Sequence, residues 1–237
     1  MKEVQLIFGY HACVGALKNL NRKIISMKCT EDFYVKHKNL IENRKIKDFE
    51  IVNRRIIDNI CKNNFHQGVF INCGKLNKNH LDEIHNDENI IIILDSLNDS
   101  QNVGSIIRTA FLFGVKTIIF NKDNSFEINS FLIKASCGAF EKVKIIEETN
   151  LNRTIEKLKK KGFWIFGLDV NSKNNLVSIP KDSKKALIFG SESKGIRSLI
   201  LKNCDFNAKI DLPVKEKLID SLNVSNSVAI TLYELKK

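Results

Sequence analysis

The chain has 237 residues, 43% hydrophobic and 27% charged, the balance of an ordinary globular protein of one large or two modest domains. Its formal net charge of +11 favours a polyanionic partner, nucleic acid first, although Lys, Asn and Ile are plentiful throughout and part of the excess is compositional. No apolar run approaches the ~18 residues of a membrane helix, no signal or transit pattern opens the chain, and the six cysteines (Cys13, Cys29, Cys61, Cys73, Cys137, Cys204) form no Cys-x-x-Cys pair, so a cytoplasmic protein with reduced thiols and no membrane association is expected.

In chain order, Ala12, Ala16, Leu17 and Leu20 recur at helical spacing and predict a helix over 10–20. A strand follows at 24–29, then a polar helical stretch, a strand at 49–52, a helix at 54–62 and a strand at 68–73. Residues 74–89 are polar and read as a linker or short surface helix, with a domain boundary near residue 88. The first domain, 1–88 including that linker, is a small α/β unit dense in Lys and Arg over 18–55. Beyond it, in 89–237, strands read at 90–95, 116–120, 143–146, 163–168, 185–189 and 208–212. Helices read at 102–113, 129–136, 151–161, 195–201 and 222–235. Near-continuous apolar strands alternating with helices predict a mainly parallel sheet covered on both faces. The five histidines show no zinc-ligand spacing; His80 and His85, five apart, do not share a helical face. No metal site is expected.

Three polar, glycine-punctuated breaks fall where apolar strands end. They are Asn102-Val-Gly104-Ser-Ile-Ile-Arg108, Gly190-Ser-Glu192-Ser193-Lys-Gly195, and Ile210-Asp-Leu212-Pro213 running to Ser221-Leu222-Asn223-Val-Ser225. Ligands of open α/β sheets gather at such carboxyl ends. Each break also has a plain structural explanation. Asn102 could cap a helix, Gly190 and Gly195 could serve a turn that needs positive φ, and Ser221 or Asn223 could cap the last helix. The glycine turn could instead offer backbone N–H groups to a small ligand; it is not a Walker A loop, since Gly-Lys-Ser/Thr is absent.

In order and spacing, Asn-x-Gly-x-x-x-Arg, Gly-x-Glu-x-x-Gly and Leu-Pro…Ser-Leu-Asn-Val-Ser resemble the three motifs of the SpoU (TrmH-like) family of RNA ribose 2′-O-methyltransferases. The resemblance covers roughly 90–235. Ala135-Ser-Cys-Gly-Ala139 is also similar to the family. Phe8-Gly-Tyr-His11-Ala with Gly15-Ala-Leu17 resembles the substrate-domain start of the subgroup that modifies a guanosine of large-subunit rRNA. Two positions depart from the pattern: Ser193 stands where the family usually has Gly, and Val214-Lys-Glu-Lys217 where it usually has Met with a nearby Gly.

The resemblance implies an α/β fold of SPOUT type, with a trefoil knot in the sheet domain and a ribosomal protein L30e-like amino-terminal domain that binds RNA. It implies S-adenosylmethionine as cofactor, a homodimer, and rRNA as partner. It assigns catalysis to Asn102, Arg108, Glu192, Ser221 and Asn223, and the cofactor pocket to Gly190, Ile210, Leu212 and Leu222. The resemblance implies that Arg108 activates the hydroxyl; because arginine, always protonated, is a poor general base, the alternative is that Arg108 holds a phosphate and stabilises developing oxyanion charge while the proton leaves by another route. A tRNA guanosine methyltransferase, and a non-catalytic ribosome-assembly factor on the same fold, are the alternatives.

Overall fold

A computed structural model describes residues 4–62, 65–123, 125–214 and 221–237. Lys215, Glu216 and Lys217 of the departing loop lie outside these. In chain order the elements are β1 (Val4–Phe8), α1 (Tyr10–Lys18), β2 (Ile24–Cys29), α2 (Glu31–Asn43), β3 (Asp48–Ile51), α3 (Arg54–Ile60), β4 (Val69–Gly74), β5 (Ile90–Asp95), α4 (Ser100–Leu112), β6 (Thr117–Asn121), α5 (Ser130–Ala135), β7 (Lys144–Glu148), α6 (Leu151–Lys160), β8 (Trp164–Leu168), β9 (Asn174–Asn175), β10 (Lys185–Gly190), α7 (Ser198–Lys202), β11 (Phe206–Lys209) and α8 (Val224–Lys236). They form two compact units, 1–77 with 128–142 and 78–127 with 143–237.

In the larger unit seven strands lie in the order β7-β6-β5-β10-β8-β11-β9, and every pairing is parallel. All six residues of β5 are buried. Its side chains alternate between two layers, so both faces must be apolar. Ile91 and Ile93 join a core with Ile119, Ile155, Leu158 and Ile188, while α4 packs on α8, and Ile106 and Ile107 of the one and Val228 and Leu232 of the other are buried. The expected mainly parallel sheet with flanking helices is therefore present. Two elements end elsewhere than the hydrophobicity suggests. β11 stops at Lys209 rather than 212, and Ile210 and Leu212 line a cleft instead of continuing the ladder. The helix expected from 195 begins only at Ser198, since Gly195 is held in a hairpin with φ +65°.

The smaller unit has a mixed four-stranded sheet, β1-β4-β2-β3, in which β4 runs antiparallel to both neighbours. Sequence patterning does not separate β1 from the chain start. The polar stretch after β4 holds one short 3₁₀ turn, Leu81–Glu83, in the larger unit.

Residues 128–142 fold into this smaller unit although they lie between β6 and β7 in sequence. Two contacts explain why. A Cβ on Gly15 of α1 would sit 2.8 Å from the Gly138 Cα, and one on Gly138 would sit 2.8 Å from the His11 carbonyl oxygen. Only glycines let the two backbones meet. Beside this contact the fully buried Glu141 carboxylate accepts from Arg22 Nη2 at 2.5 Å and Asn19 Nδ2 at 2.7 Å. Arg22 Nη1 in turn donates to Gln5 Oε1 and the Gly74 carbonyl, both at 3.0 Å. Buried charges are tolerable when each is paired and hydrogen-bonded in this way.

Among the described residues no disulfide is formed. Burial pushes the Cys29 and Cys73 thiols up to about 11 and that of Cys204 to about 12. No described helix is long and apolar enough to cross a membrane.

Candidate active site

The three sequence breaks converge in the larger unit at the carboxyl ends of β5, β8 and β10. The first opens α4. Asp99 is the N-cap there, its carboxylate accepting from the Gln101 and Asn102 backbone N–H groups at 2.7 and 3.5 Å. Asn102 thus lies in the first helical turn and does not cap it, contrary to the capping explanation. Its side chain is left for other work: Nδ2 donates to Glu192 Oε1 at 3.0 Å.

The second break is a hairpin after β10. Ser191 and Gly195 exchange backbone hydrogen bonds at 3.1 and 2.8 Å, and the Lys194 N–H donates to Ser191 Oγ at 3.2 Å. These N–H groups turn inward and are not offered to a ligand. A Cβ on Gly190 would lie 2.1 Å from the Gly195 carbonyl carbon, so here glycine is required by close approach, not by φ. Ser193 does not have positive φ. Its departure from the family glycine therefore imposes no backbone strain.

The third break ends at α8. Asn223 is the N-cap, its Oδ1 accepting from the Ser225 N–H at 2.9 Å and Ser225 Oγ at 2.6 Å. Its Nδ2 donates to Glu192 Oε1 at 2.8 Å and lies 3.0 Å from Asn102 Oδ1. Capping and site-building are both true of this one amide. One carboxylate oxygen thus gathers two amides from two helix starts, and the three breaks become one hydrogen-bonded cluster.

Beside it lies a cleft of about 440 Å³, a size suited to a cofactor or small ligand. Gly190, Ile210, Leu212 and Leu222, the four expected pocket residues, line it, with Glu192 and Ser221. Half-buried Leu212 and Leu222 supply apolar surface, while the hairpin supplies backbone. Such a mixture suits a flat heterocycle joined to a polar chain. Arg108 is the outlier. It is exposed on α4, is not a lining residue, and has no hydrogen bond or ion pair to the described residues. Its side chain is available to a polyanion.

Sequence reasoning missed Asp95 and Arg197. The Asp95 carboxylate, fully buried at the end of β5, accepts from the Arg197 backbone N–H at 2.9 Å and Nε at 2.7 Å. This ties the hairpin, which follows β10, to the neighbouring strand β5. An Asp closing a wholly apolar strand was the available signal. Asp169, Val170 and Asn171, after β8, also line the cleft without a motif to mark them.

The sequence matches the SpoU rRNA Methylase family over residues 89–233 and the RNA 2′-O ribose methyltransferase substrate-binding family over 6–78. It is 32% identical to the 23S rRNA (guanosine-2′-O-)-methyltransferase RlmB of Coxiella burnetii, over 100% of this chain and 97% of that protein. It is 37% identical to an uncharacterized tRNA/rRNA methyltransferase of Borreliella burgdorferi, over 84% of this chain and 90% of the relative. Among solved structures, the AdoMet-bound rRNA methyltransferase from Sinorhizobium meliloti aligns with a TM-score of 0.82 at 22% identity, covering 98% of this chain and 87% of that one. The SpoU methyltransferase AviRb from Streptomyces viridochromogenes, in complex with AdoMet, aligns with a TM-score of 0.83 at 15% identity, covering 98% and 89%.

Proposed function

The chain belongs to the SpoU rRNA methylase family, and we propose that it methylates a ribose 2′-hydroxyl of RNA from S-adenosylmethionine, a guanosine of large-subunit rRNA being the substrate. The observation that carries this reading is the Asn102–Glu192–Asn223 cluster at the rim of the cleft. The cofactor would supply an electrophilic methyl carbon on a sulfonium. Gly190, Ile210, Leu212 and Leu222 would hold it, the adenine lying against the two leucines. The hydroxyl oxygen must approach in line, so positioning supplies much of the rate.

Arg108 would grip an RNA phosphate and stabilise charge growing on the oxygen. Its planar fork suits that role better than proton abstraction. The cluster of Asn102, Glu192 and Asn223, with Ser221, would keep the helix starts in register around the reacting centre. Residues 1–88 would serve as the RNA-binding domain and 89–237 as the catalytic one, with 128–142 lent to the former. A second copy would cover the exposed Phe111, Leu112, Ile230 and Tyr233 of α4 and α8, giving a homodimer. The trefoil knot of the family and a cytoplasmic location belong to the same reading.

The test is transfer of a labelled methyl group to rRNA by the purified protein. It is paired with mapping of 2′-O-methyl positions in rRNA from cells with and without it. Loss of one guanosine modification is expected; tight cofactor binding with no transfer to rRNA or tRNA would instead favour an assembly factor.

A further inference from the structure

The smaller unit carries an aromatic and cationic surface that the family motifs do not account for. It is built around Gly9, where β1 passes into α1. On one side the Lys134 side chain lies against Gly9, and its Nζ sits 5.1 Å from the Phe65 ring centre and 5.4 Å from that of Phe8. Phe131 meets Phe8 edge-on at 5.7 Å. Phe65 and Phe131 are 65% and 44% exposed. On the other side Tyr10 is fixed by its hydroxyl, 2.8 Å from His37 Nε2, and by its backbone N–H, which donates to Gln67 Oε1. Lys36 Nζ stands 5.1 Å from the Tyr10 ring centre. Lys18 and Lys36 lie close enough to His37 to help burial lower its pKa.

Exposed rings set among lysines are costly to leave in water and of little use to a fold. Duplex RNA offers phosphates and 2′-hydroxyls but hides its base faces. Unstacked bases offer a π-face to an aromatic ring and a phosphate to each neighbouring cation. In residues 1–77 Lys and Arg outnumber Asp and Glu two to one, which complements RNA and opposes self-association of this face. We propose that the exposed Phe65 and Phe131, flanked by the half-buried Tyr10 and by Lys134, Lys36 and Lys18, form a stacking platform for a single-stranded RNA segment. The platform is composite, since Phe131 and Lys134 come from the 128–142 segment. The proposal rests on the RNA-modifying reading above and adds the class of RNA structure recognised.

The test uses the full chain with a fluorescein-labelled single-stranded oligoadenylate and a blunt RNA duplex of equal length. Wild type should prefer the single strand. Phe65→Leu and Phe131→Leu keep apolar bulk but lose the ring, and each should weaken single-strand binding by about fivefold or more. Lys36→Gln should lower the slope of log affinity against log salt by roughly one. Cofactor affinity and melting temperature should stay at wild-type values. If both leucine variants bind the single strand like wild type, the platform is refuted while the RNA reading stands. If wild type binds neither probe, the platform is refuted, and methyl transfer to rRNA alone decides the RNA reading. If the variants instead lose self-association in sedimentation, the surface joins two copies and the proposal is overturned.

Discussion

The Asp95 carboxylate, buried at the end of β5, accepts from both the backbone N–H and the Nε of Arg197, 102 residues away. Strand β5 thereby holds the hairpin that forms one wall of the cleft. Arg197→Ala keeps the backbone bond but leaves the carboxylate short of a charge partner, at a cost of about 1–3 kcal/mol. Asp95→Ala removes both bonds and should cost more. In denaturant titrations the order of stability should be wild type, Arg197→Ala, Asp95→Ala. Cofactor affinity, measured by calorimetry, should fall in the same order.

Glu192 Oε1 is shared by Asn102 and Asn223. Removing the carboxylate leaves both amides without their acceptor, so Glu192→Ala, Asn223→Ala and the double variant should not add. We expect a coupling of about 0.5–3 kcal/mol in transition-state stabilisation, toward the lower end because Glu192 is exposed. Single-turnover methyl transfer measures it, and strict additivity would dissolve the cluster as a functional unit.

Arg108 lies outside the cleft lining and is open to solvent. Arg108→Ala and Arg108→Lys should each lower turnover on RNA by on the order of a hundredfold, the loss of one donor aimed at developing charge. Cofactor affinity should not move. Near-normal turnover by the alanine variant would reduce Arg108 to a solvated surface charge.

Burial raises the Cys29 and Cys73 thiols to about 11 and Cys204 to about 12, above the ordinary value of 9.0. Above pH 9 the unfolded chain therefore loses thiol protons that the folded chain keeps. Their contribution to stability is complete below that pH and is lost as pH rises toward 11 and 12. Thermal melts from pH 8 to 10.5 should show a steeper decline for wild type than for Cys204→Ala. Parallel curves would show that Cys204 does not contribute.

How much of this was legible in the sequence depended on whether a contact is local. The wholly apolar β5, the strand–helix alternation and the Gly190–Gly195 turn follow from patterns within a few residues, because burial on both faces and close backbone approach restrict residue type directly. The motif residues were likewise visible as a set. What required tertiary structure was which groups meet: the Asp95–Arg197 bond, the placement of Arg108 outside the cleft, and the transfer of 128–142 to the smaller unit. Ala135-Ser-Cys-Gly-Ala139 shows the difference. The segment was visible as a resemblance, but Gly15, which meets its glycine, and Arg22, which pairs with the nearby Glu141, stand over a hundred residues away in sequence, and only a folded chain brings them together.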